Sequence, residues 1–345
     1  MARPIRLLVV DDSVFLRHTL TKRLGDYPQV DVIGHAIDGL DALDKIVELE
    51  PDVVILDVEM PRMDGLTALE RIMAECPTPV IMLSAYTQRG ARTTVQALIR
   101  GAVDFVPKPS SNFTITEVID ELVEKVQVAA DTSPTQAPTL PEPEKETREP
   151  ASAPRPFGKG DTVIVIGAST GGPRALQQVL SSLPADLPAA VTVIQHMPVG
   201  FTRSLAQRLN EGSPLTVREA SPGDRLERGK VLLAPGNYHL VLGRNGTVKL
   251  DQGPPRNHVR PAVDVTMETA AEVYGQATIG VVLTGMGNDG TAGAARIKEA
   301  GGTVIAEDDS TSIVYGMPRS VSEAGLADYR LPLPKIAAML AKLVE

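Results

Sequence analysis

The sequence predicts two α/β units joined by a tether. The first is a doubly wound, five-stranded parallel sheet; the second is a mostly parallel sheet with an antiparallel hairpin. Three observations carry this. Short runs of Val, Ile and Leu alternate with stretches whose apolar residues recur at helical spacing. Glycine-rich turns follow several of these runs, where the chain passes directly from strand to helix. Over residues 129–160 the composition changes to Pro, Glu, Ser and Thr with little to bury. The expected boundaries are therefore 1–128, 129–160 and 161–345.

In the first unit, Ile5 to Val10 is a buried-strand run, and Ser13 is placed to cap a helix through about Leu24. Val30 to Ala36 reads as a second strand. Asp38 caps a helix with Leu40, Leu43, Ile46 and Val47 on its apolar face. Val53 to Asp57 is apolar until its last residue. A helix over 65–75, a strand over 80–83, a helix over 88–100, a strand over 103–107 and an amphipathic helix over 114–128 complete the unit. Such a sheet has helices on both faces and binds ligands outside the carboxyl ends of its strands.

Those ends carry Asp11, Asp12, Asp57, Ser84 and Lys108. Neighbouring carboxylates resist joint ionisation unless a cation joins them, and an all-oxygen donor set suits Mg²⁺. Lys108 and the metal could neutralise a phosphoryl group on an aspartate, with Ser84 bonding one of its oxygens. With Leu56-Asp57, Met60-Pro61-Arg62-Met63-Asp64-Gly65, Ser84-Ala85 and Lys108-Pro109, the stretch from 5 to about 125 resembles the CheY-like receiver domain of bacterial response regulators. The resemblance implies that Asp57 is the phosphoacceptor, with a histidine kinase as donor. It implies Mg²⁺ held by Asp12, Asp57 and the Glu59 carbonyl, with Asp11 reaching it directly or through water. Phe105 matches the aromatic switch position of that family and reads equally well as a core aromatic. Lys108-Pro109 is a candidate cis bond.

Residues 129–160 include Pro134, Pro138, Pro141, Pro143, Pro150, Pro154 and Pro156 with several glutamates, the composition of a flexible, extended tether. In the second unit, strand 162–166 leads through Gly167-Ala168-Ser169-Thr170-Gly171-Gly172 into a helix from about Pro173 to Ser182. Strand 190–195 ends at His196, and helix 200–211 follows. Short strands are expected over 215–218, 230–234, 238–242 and 246–250, the last two a hairpin turned by Asn245-Gly246. Helix 262–274, strand 277–283, helix 289–300, strand 303–306 and helix 334–344 close the chain.

The serine turn has two readings, a phosphate cradle or a nucleophile at a helix N-terminus. A dinucleotide fingerprint needs a middle glycine where Ser169 stands and an acid at the end of the next strand, where Gln195-His196 stands instead. The nucleophile reading needs a base and a carboxylate to orient it. His196 supplies the first if its strand lies beside that of Ser169. Asp289, in the second glycine-rich turn Thr284-Gly285-Met286-Gly287-Asn288-Asp289-Gly290, supplies the second. With Gln195-His196-Met197, Ala234 to His239, Arg260 to Asp264 and Gly316-Met317-Pro318, these blocks resemble the CheB family of chemotaxis response-regulator protein-glutamate methylesterases. The resemblance adds a Rossmann-like α/β esterase domain with Ser169 as nucleophile, His196 as base, Asp289 as orienter and the Met286 N–H as oxyanion donor. It implies hydrolysis of glutamate γ-methyl esters on methyl-accepting chemotaxis receptors, deamidation of receptor glutamines, and no cofactor for the ester chemistry. Arg260 and Asp264 read as an ion pair that fixes a loop. The rivals are a second domain that only binds receptor and one that binds a nucleotide.

Composition narrows the classes. The net charge of -9 argues against nucleic acid and anionic membranes. No apolar run is long enough to span a bilayer, so no membrane insertion is expected, and Ile5 to Val10 is too short for a secretory signal. Cys76 is the one cysteine, so no intrachain disulfide is available. A cytoplasmic monomer is the expectation.

Overall fold

The computed structural model describes residues 3–111, 113–132, 157 and 160–345 and divides into two compact units that part between residues 140 and 141. Most of the tether expected over 129–160 lies outside the described residues.

The first unit has strands β1 (Ile5–Val10), β2 (Val30–Ala36), β3 (Val53–Asp57), β4 (Val80–Ser84) and β5 (Asp104–Pro107). Its helices are α1 (Val14–Leu24), α2 (Gly39–Leu49), α3 (Gly65–Glu75), α4 (Gln88–Ile99) and α5 (Ile115–Ala130). The sheet is wholly parallel in the order β2-β1-β3-β4-β5. Strands β3 and β4 are buried at every position, as expected for strands covered on both faces. Each helix starts at a side-chain cap: Ser13, Asp38, Asp64, Thr87 and Thr114 accept first-turn N–H groups. α5 runs to Ala130, two residues beyond the expected end. The strand order reverses between β1 and β3, which puts Asp11, Asp12 and Asp57 at the crevice where such sheets bind ligands.

The second unit has β6 (Thr162–Ala168), β7 (Ala189–Gln195), β8 (Thr216–Glu219), β9 (Lys230–Leu233), β10 (His239–Leu242), β11 (Val248–Asp251), β12 (Thr278–Val282), β13 (Thr303–Glu307) and β14 (Tyr329–Leu331). Its helices are α6 (Gly172–Ser181), α7 (Phe201–Gly212), α8 (Val263–Tyr274), α9 (Thr291–Glu299), α10 (Met317–Glu323) and α11 (Leu333–Val344). Seven strands form one parallel sheet in the order β14-β13-β12-β6-β7-β9-β8. The expected hairpin, β10–β11, forms a separate two-stranded sheet. It is tied to α8, where Thr266 Oγ1 donates to Leu240 O and Leu242 N donates to Thr269 Oγ1. α10 and β14 were not expected. One is seven residues long with a proline in its first turn, and the other is three residues of mostly exposed edge, so neither carries a readable period.

β6 is the point where this order reverses: β7, β9 and β8 lie to one side, β12, β13 and β14 to the other. The carboxyl ends of β12, β6 and β7 are therefore neighbours. The turn after β12 is anchored from β13. Glu307, fully buried, accepts the Thr284 N–H at 2.8 Å and the Thr311 hydroxyl at 3.0 Å. Burial pushes its carboxyl from the ordinary 4.5 up to about 7, against the pull of those two hydrogen bonds. A carboxyl with a raised folded-state pKa takes up a proton on folding, so its contribution is lost as pH rises from 4.5 to about 7. Denaturant unfolding of the protein and of Glu307→Gln across that range is expected to show the advantage of the wild type over the variant shrinking with pH. A pH-independent difference would contradict this.

Candidate active site

In the first unit, carboxylate oxygens of Asp11, Asp12 and Asp57 lie within 4.8 Å of one another. Lys108 Nζ sits 2.8 Å from Asp11 Oδ2 and 2.6 Å from Asp57 Oδ2. Asp11 and Asp57 are buried and Asp12 is exposed. Burial pushes Asp57 up to about 6 although Lys108 pulls the other way. Lys108 loses solvation too, but its two carboxylate partners outweigh that and hold its pKa above the ordinary value. The Glu59 N–H donates to Asp57 Oδ1 at 3.3 Å. Three carboxylates with no nitrogen or sulfur ligand fit a hard divalent cation such as Mg²⁺. A cavity of about 560 Å³ opens beside them, lined by Asp12, Glu59, Met60, Asp64 and Arg89 among others.

Ser84 is buried at the end of β4, and its hydroxyl accepts from Thr94 Oγ1 of α4 at 2.7 Å. Phe105 is buried, with the Lys125 ammonium 5.3 Å from its ring centroid. The Lys108–Pro109 bond is not cis; among the described residues the cis bond is Arg260–Pro261.

In the second unit, Ser169 follows β6 and is bound from both sides. Its N–H donates to Thr284 O at 3.0 Å beyond β12. Its carbonyl accepts from Gly172 N at 2.7 Å and from Gln195 Nε2 at 2.9 Å. The same Gln195 amide donates to His196 O at 3.3 Å, so one buried side chain ties the serine turn to the histidine turn. Close approach explains two glycines. A Cβ on Gly172 would lie 2.0 Å from Gln195 Oε1, and one on Gly285 would lie 2.8 Å from the Ser169 Cβ. Two positions of the turn offer no donor to a phosphate. The Gly172 N–H is taken by Ser169 O, and Pro173 has none.

His196 Nε2 meets Asp289 Oδ2 at 2.8 Å. Asp289 also accepts the Val263 N–H at 2.7 Å, the Asp264 N–H at 3.0 Å and the Asn257 amide at 3.2 Å. Burial opposes its ionisation, but His196 and these N–H groups hold its carboxyl below the usual carboxylate range. With Nε2 bonded to Asp289, Nδ1 is the ring nitrogen with no hydrogen-bond partner among the described residues. Among the described residues the Ser169 hydroxyl has no hydrogen-bond partner; such contacts tighten when substrate binds. The Met286 N–H, next to the glycine that abuts Ser169, meets no acceptor among the described residues. It is available to an oxyanion.

The expected Arg260–Asp264 ion pair does not form. Arg260 donates to Asn237 Oδ1 at 3.1 Å and to the carbonyls of Gln252 and Gly253. Asp264 lies in the first turn of α8, where its Oδ1 takes the Gly290 and Gly293 N–H groups at 2.9 and 2.8 Å and its Oδ2 takes Asn257 at 2.9 Å. Asn257 and Gln195 were missed as site residues. An Asn in a turn and a Gln at a strand end carry no chemical signature until the fold places them.

A family model described as CheB methylesterase matches residues 164–340, and one described as Response regulator receiver domain matches 7–120. A protein-glutamate methylesterase/protein-glutamine glutaminase of Symbiobacterium thermophilum is 51% identical over 99% of this chain and 98% of its own length. The protein of the same description from Thermotoga maritima is 49% identical over 99% of each chain. The crystal structure of the Thermotoga maritima CheB methylesterase catalytic domain matches with a TM-score of 0.53 at 53% identity, covering 54% of this chain and 100% of that one. A receiver unit and a serine–histidine–aspartate unit, both matched along nearly their whole length, place the chain in the CheB family of protein-glutamate methylesterases/protein-glutamine glutaminases.

Proposed function

We propose that the chain is a phosphorylation-controlled esterase that hydrolyses glutamate γ-methyl esters on the cytoplasmic helices of methyl-accepting chemotaxis receptors and deamidates receptor glutamines. The observation that carries this reading is the 2.8 Å bond between His196 and an ionised, buried Asp289, on the strand end beside Ser169.

Ser169 Oγ attacks the ester carbonyl while His196 Nδ1 takes its proton. Asp289, already charged, stabilises the imidazolium that results. The Met286 N–H receives the oxyanion of the tetrahedral intermediate. Collapse expels the methoxy group, which leaves as methanol with the proton from His196. Water then attacks the acyl-enzyme with His196 again as base, releasing the glutamate carboxylate and restoring the serine. With a glutamine substrate the leaving group is ammonia.

In the receiver, Asp57 is the phosphoacceptor, and a chemotaxis histidine kinase is the donor. Asp11, Asp12, Asp57 and the Glu59 carbonyl would hold Mg²⁺, which when bound neutralises charge on the phosphoryl oxygens. Lys108, already in contact with Asp57, offsets the remaining charge, and the Ser84 hydroxyl exchanges Ala85 O for a phosphoryl oxygen while still accepting from Thr94. Phe105 responds to that exchange. The unphosphorylated receiver restrains the esterase, and phosphorylation releases it. No helix of the described residues is long and apolar enough to cross a membrane.

Methanol release from methylated receptor membranes tests the chemistry. Ser169→Ala and His196→Ala are each expected to lower it by at least about a thousandfold; a Ser169→Ala variant with full activity would remove the assignment. For control, a small phosphodonor with Mg²⁺ is expected to stimulate the wild type and leave Asp57→Asn at its basal rate. Undiminished stimulation of Asp57→Asn would count against Asp57.

A further inference from the structure

Among the described residues, the side chains that hydrogen-bond to Asp289 are those of His196 and Asn257. Asn257 lies in a four-residue turn closed by reciprocal backbone bonds between Arg256 and Val259 at 3.1 and 3.0 Å. Arg256 is fixed by a two-pronged bond to Glu268 of α8, at 2.8 and 2.6 Å. Asn257 has a φ of +52°, a left-handed conformation that asparagine tolerates better than most residues. The turn thus presents the Asn257 amide to two buried carboxylates, Asp264 Oδ2 at 2.9 Å and Asp289 Oδ1 at 3.2 Å.

These two carboxylates are held crosswise. Asp289, just ahead of α9, takes the first N–H groups of α8, while Asp264, in α8, takes those that begin α9. Like charges so placed repel, and two helix N-termini offset that repulsion. Asn257 is the one side-chain donor shared by both among the described residues. On Asp289 Oδ1 it joins the backbone N–H groups of Asp264 and Gly290, both at 3.0 Å, while Oδ2 takes the Val263 N–H and faces His196.

We infer that Asn257 is a positioning residue of the esterase reaction, its amide seated between Asp264 and Asp289 so that Asp289 Oδ2 meets His196 Nε2. It acts through Asp289 and touches no substrate. The inference rests on the proposed roles of Ser169, His196 and Asp289.

Two variants of the full chain test it. Asn257→Gly keeps the left-handed backbone and removes the amide. Asn257→Asp keeps the shape and sets a third carboxylate against the other two. In methanol release, Asn257→Gly is expected to lower kcat about tenfold with KM changed by less than about twofold, and Asn257→Asp to lower kcat further. In both, the low-field proton resonance of the His196–Asp289 bond is expected to shift or broaden. A purely structural role would lower stability while leaving kcat of the folded enzyme and that resonance unchanged, and this result would overturn the inference. A fall in kcat with the resonance unmoved would also overturn it, because Asn257 would then act elsewhere. Asp289→Ala run beside them separates the cases: if it keeps full activity, the triad assignment itself has failed.

Discussion

A buried aspartate stays charged only where the protein replaces the hydrogen bonds that water would have made. Asp289 is buried, and the proposed esterase mechanism depends on its charge. The replacement comes from backbone N–H groups at the start of α8 and from the Asn257 amide. Those donors are in place because Asp264 exchanges the same service with the start of α9. Two helices are thereby locked to each other at the catalytic edge, and His196 inherits a fixed partner. The serine lies on the neighbouring strand and is held by the turns after β12 and β7.

The receiver answers a different requirement with the same architecture. Asp57, its proposed phosphoacceptor, also lies at the carboxyl end of a parallel strand, at the point where the strand order reverses. There the surroundings do the opposite work. Burial pushes Asp57 up to about 6, and the charge it develops is shared with one lysine beside two further carboxylates. Such a site is short of positive charge, which fits the proposal that a divalent cation and a phosphoryl group are bound there together. Asp289 has no such deficit, which fits the proposal that His196 transfers protons beside it.

Much of this was legible in the sequence because local physics and tertiary demand agree. The strands that carry Asp57 and Ser84 are apolar along nearly their full length, the helices begin at polar caps, and Ser169, His196 and Asp289 each follow a recognisable run. The parts that were not legible depend on distant chain. Asp264 had an arginine four residues back in the sequence, yet its partners are the N–H groups of Gly290 and Gly293 and the Asn257 amide. Gln195 gains its role only when its strand lies beside that of Ser169. α10 and β14 are too short to show a period. The cis bond sits at Arg260–Pro261, and no local residue pattern distinguished that pair from Lys108–Pro109.

The claim at the centre of this account is that strand ends β12, β6 and β7 together make one activated serine. Labelling with a serine-directed fluorophosphonate, followed by mass spectrometry of the digested chain, tests it directly. The account predicts a single adduct on Ser169 whose formation collapses in His196→Ala. An adduct on another serine, or labelling of Ser169 at an unchanged rate without His196, would contradict it.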